Sequence, residues 1–516
     1  MSQIIQLSLT PIQAHNSENI QEAISQQLNI PKENISDFRL LKRSIDARKR
    51  KVKIQIKAEV FINEKIPQNV IERNYQDVRN KQEIIVVGSG PAGLFASLKL
   101  IEHGLKPIIL ERGKDVQSRR RDIAAINKKH IVNPDSNYCF GEGGAGTYSD
   151  GKLYTRSKKR GSIKSVLETL VYHGAREEIL VDAQPHIGTN KLPKLIASIR
   201  DTIIKSGGEI YYNNKVTDFI IRDNTIYGVV TEKGDKILGK SVILATGHSA
   251  RDIFFLLQNK NIAIEAKPFA VGVRIEHPQK IIDQIQYSCK DRGAYLPAAS
   301  YRLAEQVNGR GIYSFCMCPG GFIVPAATAP GEIVVNGMSP SKRDSKYANS
   351  GIVVEVKNED LIPFQQYGSL AGLYYQMSIE KIACEAGQNL QIAPAQRMTD
   401  FVKNKISPKL NNTSYQPGII STPLHELLPE AISLSLKKGL KYFDKKMKGY
   451  FTNEANILGV ESRTSSPISI PRFKDTLQHI QIKNLYPCGE GAGYAGGIVS
   501  AAIDGERCAL KICFNS

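Results

Sequence analysis

The residues with the clearest chemical pattern lie near position 90, where the segment Gly88–Gly93 reads GSGPAG. This is the spacing G-x-G-x-x-G, which binds a dinucleotide pyrophosphate where a strand turns into a helix. Gly88 permits the tight turn, Gly90 lets the backbone approach the phosphates, and Gly93 lets the helix pack close to the strand. The free N–H groups and partial positive charge of the helix N-terminus would then face the phosphates.

The neighbouring residues predict the elements that this motif requires. Ile84–Val87 is wholly apolar and β-branched, which is typical of a central parallel strand covered on both faces. A helical stretch over Leu94–His103 follows, and Gly104 is a typical C-terminal cap. A second apolar run, Pro107–Leu110, predicts the next strand, parallel to the first.

An acidic residue completes this unit. Glu111 ends the second strand, 18 residues after Gly93 (111 − 93). A carboxylate there can accept hydrogen bonds from a ribose 2′-OH, and it would repel a 2′-phosphate. We therefore predict that this site does not hold NADP, although the motif alone does not distinguish NAD from FAD.

Several segments, in the right order, resemble the glutathione-reductase-like flavoprotein superfamily. The first is the stretch 86–113, VVGSGPAGLFASLKLIEHGLKPIILERG, and the second runs over 208–216. The third is the ATG triplet at 245–247, and the last combines YPCGEG at 486–491 with AGGI at 495–498. This resemblance implies that the bound dinucleotide is FAD.

The resemblance also implies roles for individual residues. The backbone of Val216 would contact the adenine, and a carboxylate after Gly489 would bind the ribityl chain. That residue is usually Asp in the superfamily, whereas this chain has Glu490, whose side chain is longer by a methylene. The helix beginning near Gly497 would point its N-terminus at the flavin ring and stabilise the anionic reduced flavin.

A glycine-rich stretch over residues 141–152 is a further candidate for cofactor contact. Its glycines allow close backbone approach, and Thr147 and Ser149 supply hydroxyl groups; a flexible surface loop is the alternative. The predicted cofactor-binding residues are Gly88, Ser89, Gly90, Pro91, Ala92, Gly93, Glu111, Arg112, Gly143, Gly144, Thr147, Val216, Ala245, Thr246, Gly247, Gly489, Glu490, Gly497 and Ile498.

More closely, the chain resembles a family of bacterial FAD-dependent dehydrogenases. The specific stretches lie at 139–153, 267–279, 314–326, 336–345 and 461–468, so the resemblance extends over most of the chain. It implies an FAD-dependent oxidoreductase that transfers hydride between FAD and a small molecule. This resemblance does not indicate a class of substrate.

Two missing patterns bear on the electron donor. Residues 120–480 contain no second strand–GxGxxG–helix unit, and the chain has no C-x-x-C pair. The absent second nucleotide unit favours a small-molecule dehydrogenase over an NAD(P)H-driven reductase or hydroxylase, in which NAD(P)H would be a transient donor. The missing cysteine pair is one that disulfide reductases of the resembled superfamily carry. An alternative of another class is a flavin-binding protein that docks nucleic acid or a protein partner through its N-terminal unit.

The sequence does not identify the catalytic residues. Cys316 and Cys318 either form a redox pair facing the flavin or pack as small hydrophobic side chains, and the strain of a C-x-C disulfide favours packing. His248 and His277 are candidate proton donors near the flavin. The cations that could bind an anionic small-molecule substrate are Arg274, Lys342, Arg343 and Arg463.

The charge balance raises the question of other partners. The chain has 69 Lys and Arg against 50 Asp and Glu, a formal net charge of +19. These basic residues are spread along the chain without a zinc-finger or RNA-binding signature, so we expect no nucleic-acid partner. The apolar runs are strand-sized and no signal-peptide pattern begins the chain, so we expect a cytoplasmic protein without membrane contact.

Together these patterns predict an α/β fold. It would combine a Rossmann-like FAD-binding domain, a mixed-sheet α+β substrate domain and a small N-terminal α/β domain with the order βαββ. The predicted boundaries are 1–82 for the N-terminal domain, 83–250 for the first part of the FAD-binding domain, 251–480 for the substrate or cap domain, and 481–516 for the C-terminal part of the FAD-binding domain.

Overall fold

A computed structural model of the chain describes residues 2–64, 67, 70–155 and 161–514. The strands, in chain order, are β1 (Ser2–Leu9), β2 (Ile35–Asp46), β3 (Lys53–Ile62), β4 (Glu83–Val87), β5 (Lys106–Leu110), β6 (Glu209–Tyr211), β7 (Val216–Arg222), β8 (Thr225–Thr231), β9 (Lys236–Leu238), β10 (Val242–Leu244), β11 (Glu265–Ala266), β12 (Ala270–Pro278), β13 (Ala304–Val307), β14 (Arg310–Cys318), β15 (Phe322–Pro325), β16 (Val335–Met338), β17 (Tyr347–Glu355), β18 (Ala393–Arg397), β19 (Ile419–Ser421), β20 (Asn456–Glu461), β21 (Ile468–Ser469) and β22 (Leu485–Pro487). The α-helices are α1 (Ser17–Leu28), α2 (Pro91–Glu102), α3 (Arg119–Lys129), α4 (Ile163–Tyr172), α5 (Leu192–Lys205), α6 (Arg251–Asn259), α7 (Gln279–Tyr287), α8 (Ala371–Ala386), α9 (Met398–Val402), α10 (Leu424–Leu427), α11 (Glu430–Lys446) and α12 (Ile498–Phe514).

The N-terminal unit is a small antiparallel sheet with a helix packed on one face. Its strands lie in the order β1-β3-β2. Alternate residues of β1, namely Ile5, Leu7 and Leu9, point into a core that also holds Ile20 and Ile24 of α1. The predicted order βαββ is present.

A five-stranded parallel sheet follows, in the order β22-β10-β4-β5-β6. β4 lies inside it and is buried over Ile84–Val87, as its uninterrupted apolar sequence predicts. The chain turns at Gly88 into α2 and returns as β5, which gives the predicted Rossmann-like unit. β22 comes from the C-terminal part of the chain, and α12 after it packs against α2 in the same core.

The largest sheet is mixed, as predicted for the substrate domain. Its order is β13-β14-β17-β12-β20-β18-β19, and every pairing is antiparallel except that of β18 with β19. β12 lies near its centre and is buried over all but its last residue, and α8 and α11 pack against the same core. The predicted domain boundaries themselves stay predictions.

A buried ion network joins the two larger sheets. Glu380 on α8 accepts hydrogen bonds from Arg251 at the start of α6 and from Arg463 after β20, at 2.8–3.0 Å. Glu332 accepts one bond from each of the same guanidinium groups, at 2.7 Å. Burial opposes ionisation of Glu380, but the positive charges of the two arginines outweigh it and lower its pKa to about 2.

None of the helices in the described residues combines the length and the apolar character needed to cross a lipid bilayer.

Candidate functional site

Loops that are distant in sequence meet at one edge of the five-stranded sheet. β4, β5, β10 and β22 are parallel neighbours, so their carboxyl ends lie side by side. The residues that leave these ends are Gly88, Glu111, the triplet 245–247 and the segment beginning at Cys488. β5 lies on one side of β4 and β10 on the other, and open α/β sheets bind ligands where the strand order diverges in this way.

The glycine turn has the geometry that its sequence predicts. Gly88 has φ +102°, and a Cβ there would lie 2.6 Å from the carbonyl oxygen of Ala245. A Cβ on Gly93 would lie 1.9 Å from the carbonyl oxygen of Gly88, so α2 can approach the turn only without a side chain. Neither position tolerates another residue, because the protein backbone fills the space.

Gly90 differs from these two glycines. A Cβ there would have Gly144 Cα, at 4.0 Å, as its nearest described neighbour. The protein therefore does not require glycine at this position, which directly precedes the N-terminus of α2. A ligand phosphate that lies against the backbone would require it.

The Glu111 carboxylate connects three parts of this edge. One oxygen accepts hydrogen bonds from the backbone N–H and the hydroxyl of Ser89, at 2.9 and 2.7 Å. The other accepts from the backbone N–H groups of Gly113 and Gly141, at 2.9 and 3.0 Å. Glu111 is buried, and its hydrogen bonds hold the backbone segments at Ser89, Gly113 and Gly141 together. The predicted ribose contact stays a prediction, and it would have to share an oxygen with one of these donors.

We expect Glu111→Gln to weaken both the fold of this edge and FAD binding. An amide NH₂ would face backbone N–H donors, which leaves buried donors unpaired at about 1–3 kcal/mol each. The dissociation constant for FAD, measured by titration of stripped protein, should rise at least about tenfold, or roughly 1.4 kcal/mol.

Glu83→Gln is the matched control for this change. Glu83 begins β4 at the opposite edge, with a half-exposed side chain 3.0 Å from Lys106 Nζ, so its loss should change stability by less than about 1 kcal/mol. Equal FAD affinities for the two variants would contradict the role of Glu111.

Arg112, predicted to contact the cofactor, makes its side-chain contacts with protein. Its guanidinium donates to Asp135 at 2.7 Å and to Asp252 at 2.9 Å, and it lies over the ring of Phe140. Val216, at the start of β7, is buried and pairs with Thr231, so only its backbone is available for the predicted adenine contact.

The glycine-rich loop packs onto the turn rather than projecting from the surface. The backbone N–H of Gly143 donates to the carbonyl oxygen of Ser89 at 2.9 Å, and both Gly143 and Gly144 have positive φ. A Cβ on Gly146 would approach Pro91 of α2 and Ile498 of α12 at 3.3–3.4 Å. The loop therefore lies where the two helices begin.

The hydroxyl groups predicted for this loop serve the loop itself. Thr147 is fully buried and donates to the carbonyl oxygen of Glu142 at 2.8 Å, and Ser149 donates to that of Gly146 at 2.8 Å. Each hydroxyl proton is thus bound by a backbone oxygen, and the predicted cofactor contact of Thr147 stays a prediction.

The C-terminal segment completes the edge. A Cβ on Gly491 would lie 2.5 Å from the carbonyl oxygen of Gly247, so this segment packs directly against the 245–247 triplet. At Gly496 and Gly497 no described atom lies within 4 Å of an added Cβ. α12 begins at the next residue, Ile498, and its N-terminus therefore faces a space that the described residues leave open, at the same edge as the N-terminus of α2.

These features fit FAD. An open, glycine-lined space between two helix N-termini suits an anionic pyrophosphate at one helix and a ring that becomes negatively charged on reduction at the other. The residues that would hold FAD are those of the turn Gly88–Gly93, the triplet 245–247 and the start of α12.

The structure separates the two candidate histidines. His248 follows the 245–247 triplet, and its Nδ1 lies 3.4 Å from the carboxylate of Glu490, a pairing that the sequence did not indicate. His277 is fully buried in the large sheet, where it donates to the carbonyl oxygen of Tyr450 at 2.8 Å and packs against that ring. Burial lowers the pKa of His277 to about 4, so it is neutral and structural near pH 7.

Three of the four cations proposed for an anionic substrate are already neutralised. Arg274 pairs with Glu461 at 2.7 Å, Arg343 with Asp150, and Arg463 with the network around Glu380. Only Lys342 of this group is exposed. The structure therefore does not assign these arginines to substrate, because their charges are balanced by buried carboxylates.

Sequence reasoning missed a buried residue beneath the C-terminal segment. Asp504 of α12 accepts a hydrogen bond from the backbone N–H of Gly489 at 2.9 Å and pairs with Arg472 at 2.6 Å. Its thiol neighbours Cys488 and Cys508 make it resemble a metal site, but the Arg472 guanidinium reaches Cys508 at 3.4 Å and supplies the positive charge. The available signal was an acidic residue among the apolar positions in the first two turns of this helix.

The comparisons with known proteins agree with this site. Residues 268–464 match a family described as FAD-dependent protein, C-terminal domain-like. Residues 83–124, which include the glycine turn and Glu111, match an FAD binding domain, and residues 1–61 match a domain of unknown function.

Individual relatives give the extent of the similarity. The chain is 41% identical over 513 residues to an uncharacterized protein of Clostridium beijerinckii, covering 96% of this chain and 95% of that protein. It is 27% identical over 228 residues to protein FixC of Escherichia coli K12, covering 42% of this chain and about half, 49%, of FixC. A solved glycine oxidase from Bacillus cereus is similar at 14% identity and a TM-score of 0.32, covering 84% of this chain and 96% of that one.

The matched FAD binding domain and the edge described above define an FAD-dependent oxidoreductase. The chain belongs to the same family as the Clostridium beijerinckii protein, with which it aligns over nearly its whole length, and its residues 268–464 match the C-terminal domain of FAD-dependent proteins.

Proposed function

We propose that this enzyme is dehydrogenase-like and transfers hydride between FAD and a small-molecule substrate, on a fold of the glutathione-reductase-like superfamily. The observation that supports this most is the meeting of the α2 and α12 N-termini at one glycine-lined sheet edge. That arrangement allows one helix to bind the pyrophosphate while the other faces the ring.

We assign different segments of the chain to different parts of the cofactor. The turn before α2 binds the pyrophosphate through backbone N–H groups, and Glu111 keeps the turn and Gly141 in place. The N-terminus of α12 at Ile498 supplies partial positive charge near the ring. FAD, when bound, accepts or donates hydride at N5.

His248 is the residue we propose for proton transfer. It is partly buried at the same edge, and the Glu490 carboxylate lies 3.4 Å from its Nδ1, where it can pair with a protonated imidazole. The predicted contact of Glu490 with the ribityl chain is compatible with this pairing, because each carboxylate oxygen has more than one lone pair and can accept a second hydrogen bond.

The test is an anaerobic titration of purified protein, followed by the visible flavin spectrum. We expect about one FAD per chain, no bleaching by stoichiometric NADH or NADPH, and full bleaching by dithionite. A metabolite screen then identifies the donor. Rapid bleaching by NADPH would instead support an NAD(P)H-driven reductase or hydroxylase, and a colourless protein that binds no added FAD would overturn the proposal.

A further inference from the structure

A second group of reactive side chains lies at the end of β14. Lys152 Nζ lies 3.9 Å from the sulfur of Cys316 and 4.0 Å from the sulfur of Cys318, and it also donates to the carbonyl oxygen of Met317. One ammonium group therefore contacts three consecutive residues of the strand. Lys152 ends the glycine-rich stretch 141–152, but it is not among the residues of the turn, the triplet and the start of α12 that would hold FAD.

The backbone at this point departs from a regular strand. The pairing of β14 with β17 shifts register between Phe315 and Cys318, and Cys316 has φ +45°. Positive φ is uncommon for a residue with a side chain, and such strain is concentrated at functional sites. The bulge breaks the simple alternation of the strand, and the Cys318 sulfur folds back to 3.2 Å from the carbonyl oxygen of Cys316.

The charged groups around the pair favour a thiolate. Lys152 and Arg274 are the nearby cations, and Arg274 also bonds the carbonyl oxygen of Cys316 at 3.3 Å. The carboxylates in the vicinity have partners of their own, since Arg343 holds Asp150 and Arg274 holds Glu461.

The balance of these effects differs between the two thiols. A hydrogen bond with Cys318 and the charges of Lys152 and Arg274 lower the pKa of Cys316 well below its ordinary value, against the opposing effects of burial and Asp150. The same hydrogen bond, with burial, raises the pKa of Cys318. Cys316 is partly exposed, whereas Cys318 is buried. A thiolate beside a protonated thiol is the arrangement of an attacking and a resolving cysteine.

We propose that Cys316 and Cys318 form a dithiol that reduces disulfides, with Cys316 as the attacking thiolate and Lys152 as the group that stabilises it. The Cys316 thiolate attacks one sulfur of R–S–S–R, forms a mixed disulfide and releases RS⁻. Cys318 then attacks the Cys316 sulfur, and its proton leaves with the second RS⁻. The substrate gains two electrons and becomes one thiolate, RS⁻, and one thiol, RSH, while the pair becomes one intramolecular disulfide.

The first test measures thiolate character on the full-length, FAD-loaded protein. Iodoacetamide labelling is followed by peptide mass spectrometry between pH 6 and pH 9, with Cys289 as the internal control because it is also partly exposed and burial raises its pKa. At pH 6.5, Cys316 should react at least about tenfold faster than Cys289. An equal or slower rate at Cys316 would overturn the proposal.

Lys152→Met tests whether the Lys152 ammonium group is the cause of the fast labelling of Cys316. The Cys316 rate at pH 6.5 should fall several-fold and its pH profile should move upward, while the Cys289 rate and the FAD content stay unchanged as evidence of an intact fold. Lys152→Arg should restore part of the rate because it restores the charge. An unshifted Cys316 profile in Lys152→Met would remove Lys152 from the proposal.

The second test follows the dithiol step with 4,4′-dithiodipyridine as the disulfide. The peptide containing Cys316 and Cys318 should lose two hydrogens and carry no pyridyl group, whereas Cys318→Ser should retain one pyridyl group on Cys316. A stable pyridyl adduct in the wild-type protein would contradict the resolving role of Cys318. The readout does not depend on flavin reduction, so its failure is distinct from failure of the proposed hydride transfer.

Discussion

Gly90→Val is expected to remove FAD from the protein without unfolding it. Gly90 has φ −71° and ψ −177°, extended backbone that valine adopts readily, and an added Cβ would come no closer than 4.0 Å to a described atom. The new side chain would instead project at the N-terminus of α2, where we place the pyrophosphate. We expect the affinity for FAD to fall at least about 100-fold, which corresponds to roughly 2.7 kcal/mol.

Gly311→Val provides the control for this prediction. An added Cβ at Gly311 in β14 would make ordinary contacts of 3.7 Å with the Gln306 and Glu355 side chains. Both variants should keep the circular dichroism spectrum and melting temperature of stripped wild-type protein. Only Gly90→Val should lose FAD on gel filtration, and retention of stoichiometric FAD in that variant would place the pyrophosphate away from this turn.

Glu380→Gln is expected to destabilise the protein by about 3–5 kcal/mol, because it leaves two buried guanidinium groups with too little negative charge. Arg251 and Arg463 both bond the Glu380 carboxylate, which is completely buried between the two larger sheets. The midpoint of urea unfolding at pH 7, followed by circular dichroism, should fall accordingly.

The stability difference between wild type and Glu380→Gln should depend on pH. This dependence follows from the pKa of Glu380, which is lowered from 4.5 to about 2 in the folded protein. A depressed carboxyl pKa stabilises the fold fully above the unfolded value and loses that effect as the pH falls through the folded value. The gap between wild type and Glu380→Gln should therefore be largest above pH 4.5 and shrink as the pH falls toward 2.

Glu385→Gln on the same helix is the matched control. Glu385 is more than half exposed and lies 4.0 Å from Lys381, so its loss should change stability by less than about 1 kcal/mol at any pH. A constant gap between Glu380→Gln and wild type from pH 7 to pH 3 would show that the carboxylate charge is not responsible.

Much of the nucleotide-binding unit was predictable because its determinants are local. The apolar run Ile84–Val87 and the two sterically required glycines, Gly88 and Gly93, fix a strand, a turn and a helix within one short stretch. The parallel pairing of β4 and β5 then follows from the right-handed crossover between them.

The side-chain partners were not predictable, because they lie far apart along the chain and charge shows no periodicity. Glu380 and Arg251 are 129 residues apart, and Arg274 and Glu461 are 187 apart. These pairings explain why arginines that looked available for substrate are internal. The role of Cys316 was left open for a different reason: the alternation rule for strands does not anticipate a bulge, and in a regular strand the strain of a C-x-C disulfide favours packing.

The return of β22 and α12 to the first sheet has a consequence for how the protein is made. The start of α12 follows Gly93 by 405 residues (498 − 93), yet both belong to the same edge. During synthesis the turn before α2 emerges long before its partner helix, and contacts of such high sequence separation form late and slowly. The flavin site thus becomes complete only after the start of α12 has left the ribosome, so cofactor capture would be a late step of folding.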